Sequence, residues 1–178
     1  MSACALLLAL LAPVLVGCGE EAGPRQFRAV SAGDPAPAFA AATLDGDTLS
    51  LAALQGEAVL LNIWATWCLP CREEMPGLQQ LHEEYNDQGL RVVGVSIDSR
   101  GAGRDVRDFL SSYGISFTIL HDPEEQVTRA FRTTGVPETF LIDREGKIVR
   151  RWIGLFDPTS AETRASVDQA LAPEEERG

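Results

Sequence analysis

Cys68 and Cys71 are separated by Leu69-Pro70 and lie where an apolar run gives way to a helical pattern. Two thiols at that spacing can carry out thiol–disulfide exchange or supply half of a metal site. Their position favours exchange. The thiolate is the nucleophile, and a cysteine at a helix N-terminus meets unpaired backbone N–H groups and the positive end of the helix dipole. Both stabilise S⁻ and lower the thiol pKa from roughly 8.5 to between about 3.5 and 7 in motifs of this kind. Cys68, nearer the helix start, is expected to be the attacking and more exposed sulfur. Cys71, one turn further in, is placed to resolve the mixed disulfide. A zinc site needs two further ligands, and the rest of the domain offers His82 and His121 at unrelated spacings. A purely structural disulfide is a weak reading too, because a loop this short constrains the unfolded chain little. No metal and no cofactor is expected.

The elements that must hold the pair follow from periodicity. Residues 58–65 form an apolar run with branched and aromatic side chains, which reads as a central strand covered on both faces. A helix is predicted from Cys68 to about Gln88, with Leu78, Leu81 and Tyr85 on one side, Pro76 inside it and Gly89 as its stop. Residues 91–98 read as a second buried strand and 104–113 as a helix with Val106, Phe109 and Leu110 facing inward. A short strand is expected at 117–120, then a helix opened by Pro123 and carrying Val127, Ala130 and Phe131. Residues 139–143 and 147–154 alternate around the turn at 144–146 as an antiparallel hairpin, and a last helix runs from near Pro158 to about Leu171. Upstream, apolar positions flank Asp45-Gly46, a tight-turn signal that predicts an N-terminal β-hairpin extension. The fold class is α/β, a mixed central sheet flanked by helices.

The chain has 178 residues, enough for one ordinary domain. A formal net charge of -11 repels phosphate backbones, so nucleic acid is excluded as a partner class. Residues 3–16 are apolar apart from the interruption at Pro13. That length is short for a bilayer span, which needs about 20 residues, and suits a signal-peptide core. Leu15-Val16-Gly17-Cys18 follows and resembles the lipobox of bacterial lipoproteins, in which the chain is cut before the cysteine and the cysteine carries the lipid. No Lys or Arg precedes the run, a departure from that pattern that leaves an uncleaved hydrophobic anchor as the alternative. The expected organisation is a signal peptide at 1–17, a flexible tether at 18–33, the domain at 34–172 and an acidic tail at 173–178. Either form of anchor places the domain outside the cytoplasm, on the periplasmic side of a bacterial membrane.

Residues 59–71 (Val-Leu-Leu-Asn-Ile-Trp-Ala-Thr-Trp-Cys-Leu-Pro-Cys), 72–76 (Arg-Glu-Glu-Met-Pro) and 135–143 (Gly-Val-Pro-Glu-Thr-Phe-Leu-Ile-Asp) together resemble the TlpA, ResA and CcmG branch of the thioredoxin-like superfamily. The resemblance covers about residues 33–156. It implies a thioredoxin-like fold and a membrane-tethered reductase of disulfides in exported proteins, apocytochrome c among them, re-reduced by a membrane electron donor. It implies that Pro137, after Val136, is a cis-proline lying against the cysteines and receiving substrate backbone, with Trp67 and Pro70 forming the surrounding surface. Glu74 matches an acidic residue that tunes the thiols; its alternative is a solvated first-turn carboxylate. Glu138 matches the CcmG type; its alternative is an exposed strand-edge residue. Asn62 stands where thioredoxins proper carry a buried carboxylate, so Glu74 or water must serve as proton acceptor.

Two other functions compete. The segments 96–98 and 121–123 resemble peroxiredoxins, which suggests a thiol peroxidase. Two thiolates with His121 could instead form a copper-handling module for Cu(I), although relatives of that kind space their cysteines by three residues.

Overall fold

The most apolar run of the domain builds the centre of the sheet. β3 (Ala58–Trp64) is buried at every position, because both of its faces are covered. The computed structural model describes residues 28–173, so the leader, Cys18 and the tail from residue 174 lie outside the described residues. The described residues form a seven-stranded sheet in the order β2-β1-β5-β4-β3-β6-β7. β4 (Leu90–Ser96) runs parallel to β3, and β5 (Thr118–His121) runs parallel to β4. β6 (Glu138–Ile142) is antiparallel to β3, and β7 (Ile148–Ile153) is antiparallel to β6. β1 (Ala40–Thr43) pairs antiparallel with β2 (Thr48–Ser50) and with β5. The pair flanking Asp45-Gly46 is a hairpin that forms one edge of the central sheet.

Alternation along β3 divides the core in two. Leu60 and Trp64 pack with Met75, Leu78, Leu81 and Tyr85 of α1 (Leu69–Tyr85), Val106 and Leu110 of α2 (Gly103–Tyr113), and Val167 and Ala170 of α4 (Ala161–Leu171). Val59, Leu61 and Ile63 pack on the other side with Val127 and Phe131 of α3 (Gln126–Phe131) and with Val30 and Phe39. Each large side chain so buried contributes about 1.5–3 kcal/mol. Gly94 of β4 lets the sheet close around Trp64: a Cβ there would lie 2.7 Å from Ile119 Cδ1 and 3.0 Å from Trp64 Nε1.

Two helix starts differ from expectation. α3 starts at Gln126 and not at Pro123, because the Asp122 carboxylate accepts the Val127 N–H at 2.7 Å and a turn from Asp122 to Glu125 comes first. α4 starts at Ala161, where Ser160 Oγ caps the Thr163 N–H at 3.1 Å. Residues just before position 34 are hydrogen-bonded to the sheet and to the end of α3. Arg151 Nη1 donates to the Val30 carbonyl at 2.8 Å, Arg132 Nη1 donates to the Arg28 carbonyl at 2.6 Å, and the Gly33 N–H reaches the Ile148 carbonyl at 2.8 Å. Among the described residues no helix is long and apolar enough to cross a membrane.

Candidate active site

β3 ends at Trp64, and a short turn delivers Trp67 and Cys68 to the start of α1. Asp98, buried just past the end of β4, fastens that turn: it accepts from the Thr66 N–H at 2.9 Å and from Thr66 Oγ1 at 2.6 Å. Cys68 is the N-cap of α1, its sulfur accepting from the Cys71 N–H at 3.2 Å. Pro70 falls in the first turn, where a missing N–H costs nothing. Cys68 and Cys71 are joined as a disulfide with their Cα atoms 5.3 Å apart. Cys71 is fully buried, Cys68 retains a sliver of exposure, and Trp67 and Leu69 beside them are each about two-thirds exposed.

The Val136–Pro137 bond is cis. Glu138 is in register with Ile63, which sets Val136 and Pro137 alongside the end of β3 from which the cysteine turn departs. The Pro137 carbonyl is held by the Gly154 N–H at 2.9 Å. The sheet thus brings two segments some 70 residues apart to one edge, with Trp67, Leu69, Ile153 and Leu155 as exposed apolar side chains around it.

Glu74 is not a solvated helix residue. It follows Cys71 by three, on the same face of α1, and is 2% exposed. Asn62 of β3 donates its amide to Glu74 Oε1 at 2.6 Å and to Thr139 Oγ1 at 2.9 Å. Burial raises the Glu74 pKa to about 8, partly offset by the Asn62 amide and the Phe156 backbone. Glu138 is not an exposed strand-edge residue either. It is 1% exposed on the opposite face of the sheet, where Arg151 of β7 forms an ion pair with it while stacking over Phe140. Burial pushes the Glu138 carboxyl above its ordinary value, and Arg151 pulls it back. His121 Nε2 is bonded to the Asp98 carbonyl at 2.9 Å, and His82 lies edge-on to Phe117.

Residues 32–151 match the model of the AhpC/TSA family. The chain belongs to the AhpC/TSA family. Among curated relatives, this AhpC/TSA protein is 34% identical over 122 residues to the thiol-disulfide oxidoreductase ResA of Bacillus anthracis, spanning 68% of the chain and 69% of the relative. It is 36% identical to the thioredoxin-like protein YneN of Bacillus subtilis over 140 residues, 78% of the chain and 81% of the relative. A crystal structure from Chlorobium tepidum described as a thiol:disulfide interchange protein DsbE superposes with a TM-score of 0.73 at 33% identity, covering 80% of this chain and 99% of that one. The fold is thioredoxin-like, and the activity is that of a thiol–disulfide oxidoreductase with its cysteine pair at 68 and 71.

Sequence reasoning missed Asp98, Thr139 and Arg151. Asp98 had a signal, an acidic residue ending an apolar strand. Arg151 had none, because only the β6–β7 register brings it to Glu138.

Proposed function

We propose that the chain is a membrane-tethered, extracytoplasmic reductase of disulfides in exported proteins, with apocytochrome c before haem attachment as the leading substrate. The observation that carries this reading is the Cys68–Cys71 disulfide at the N-terminus of α1, beside Pro137 and one helical turn above the buried Glu74. In the reduced enzyme the Cys68 thiolate attacks the substrate disulfide, forming a mixed disulfide and expelling one substrate thiolate. Cys71 then attacks Cys68, releasing the second substrate thiol and restoring the Cys68–Cys71 disulfide. Val136 and Pro137 receive the substrate backbone, and Trp67 and Pro70 shape the surface it crosses. Asn62 cannot accept a proton, so the ionised form of Glu74, whose pKa of about 8 lies close to that of a thiol, takes the proton of Cys71 as it attacks. Two electrons leave with the substrate, and a membrane dithiol donor returns them. Cys18 carries the lipid that keeps the domain at the periplasmic side. Likeness to ResA and DsbE proteins and the lipobox-like residues 15–18 support this placement.

The test combines trapping and mass. Cys68→Ser is expected to abolish reduction, and Cys71→Ser to accumulate a mixed disulfide with substrate. Alkylation of Cys71 before Cys68 at neutral pH would reverse the assignment. Intact mass of the membrane fraction is expected to show a chain beginning at acylated Cys18; a chain beginning at residue 1 or 2 would remove the lipoprotein assignment.

A further inference from the structure

Beside the cysteines lies a small cleft of about 190 Å³ between Trp67, Ile97, Glu125, Thr128 and the loop Thr133–Val136. Its walls include the residue preceding Cys68 and the residue preceding Pro137. A polypeptide bonded to Cys68 and running along Val136 must therefore pass over it. Small-molecule sites start near 300 Å³, so the cleft is sized for one side chain. Its polar content is unusual in two respects. Thr133 Oγ1 is buried without a hydrogen-bond partner. Glu125 holds a φ of +53°, rare outside glycine, fixed by its N–H on the Asp122 carbonyl at 2.9 Å and by Thr128 Oγ1 on its own carbonyl at 2.8 Å.

The acidic side chain at the cleft makes no ion pair among the described residues. Arg100 pairs with Glu124, and Arg129 donates to the Glu124 carbonyl, whereas the Glu125 side chain has no partner among the described residues. Arg132, at the far end of α3, is drawn to the Arg28 carbonyl. An acidic residue without a cation, next to an aromatic wall at Trp67, favours a long cationic side chain whose stem lies on the ring.

We infer that Glu125 is a specificity residue, and that the cleft takes a lysine or arginine side chain lying within two residues of the substrate's disulfide-bonded cysteine. This rests on the disulfide-reductase reading above. The chemistry is that of the proposed cycle: the enzyme dithiol supplies two electrons, the peptide S–S bond breaks, and the Cys68–Cys71 bond forms.

The experiment uses the reduced protein and a series of symmetric disulfide-linked peptides. Each carries lysine, norleucine or glutamate at one of the two positions on either side of its cysteine. Oxidation of the enzyme is followed by stopped-flow tryptophan fluorescence. At one position the lysine peptide is expected to react about two- to fivefold faster than the glutamate peptide, the range of a solvent-accessible ion pair, with the ratio shrinking as salt is raised. In Glu125→Gln that ratio should fall to near one, and in Glu125→Lys it should invert. Each ratio is taken within one variant, so a change in folded fraction cancels. Equal rates for all peptides on the wild type, or a lysine preference that survives Glu125→Gln, would overturn the assignment. Failure of the reduced wild type to react even with a small aromatic disulfide would instead overturn the reductase reading itself.

Discussion

Glu74 and Glu138 are both buried at the catalytic end of the sheet, one on each face, and they meet the cost of burial differently. Glu138 has a guanidinium: Arg151 pairs with it and spends a second donor on the Val30 carbonyl. Glu74 has only the Asn62 amide and the Phe156 backbone, and burial raises its pKa to about 8. A carboxyl paired with a cation has part of the upward push of burial offset and is fixed in geometry. A carboxyl without a cation stays protonated near neutrality and can change state when a neighbouring thiol does. The difference separates a scaffold from a titrating group within one site.

The largest expected effect comes from breaking the locked pair. Arg151→Met leaves Glu138 buried and unpaired, and should lower stability by about 3–5 kcal/mol, read by denaturant unfolding of the oxidised protein. Adding Glu138→Gln should recover a large part of the loss. No recovery would mean that Arg151 matters for Val30 and Phe140 alone.

The next effect distinguishes the two carboxyls by pH. A raised folded pKa means that above pH 4.5 the unfolded chain releases the Glu74 proton while the folded one keeps it, so stability falls as pH rises from about 4.5 to 8. Between pH 5 and 7 the slope of one proton amounts to about 2–3 kcal/mol. In the oxidised protein the two thiols do not titrate, and Glu74→Gln should flatten this part of the curve. Identical slopes in wild type and variant would place the Glu74 carboxyl in contact with water.

Smaller is the effect on the thiols. Glu74 is neutral below about pH 8 and, once ionised, disfavours a second negative charge nearby, so Glu74→Gln should leave Cys68 alkylation below pH 7 unchanged and lower the pKa of the buried Cys71 thiol by about one unit, roughly 1.4 kcal/mol. The pH dependence of iodoacetamide reaction, read for each thiol in the variant lacking the other, measures it; superimposable curves for Cys71 would leave Glu74 without influence on the thiols. Smallest is Asn62→Leu. It removes the donor to Glu74 and Thr139, should cost about 1 kcal/mol in unfolding experiments, and should raise the Glu74 pKa further.

How far the sequence carried depended on the range of the interaction. β3 was legible because seven successive buried positions leave an unbroken apolar run, and Cys68 because a strand-to-helix junction is a local pattern. That Glu74 shares a helix face with Cys71 followed from spacing. Its isolation from any cation did not, since that depends on what β3 and the segment after β7 bring to it. Glu138 was read alternatively as exposed because its partner stands 13 residues away across a register no local pattern encodes. The helix expected at Pro123 began late because the Asp122 side chain took over the capping of Val127. The docking of residues 28–33 was invisible for another reason: arginine side chains reach backbone carbonyls, which carry no residue-type signal.

That docking sets a leash. The chain joins the domain at Arg28 and Val30, where Arg151 of β7, the partner of Glu138, holds the Val30 carbonyl, and thus toward the catalytic end of the molecule. A lipid on Cys18 would lie ten residues upstream, at most about 35 Å of extended chain. The disulfide would then sweep a shallow layer over the membrane surface. A partner would have to offer its cysteines within that layer, and a longer spacer before Arg28 would widen the choice of partners without altering the chemistry.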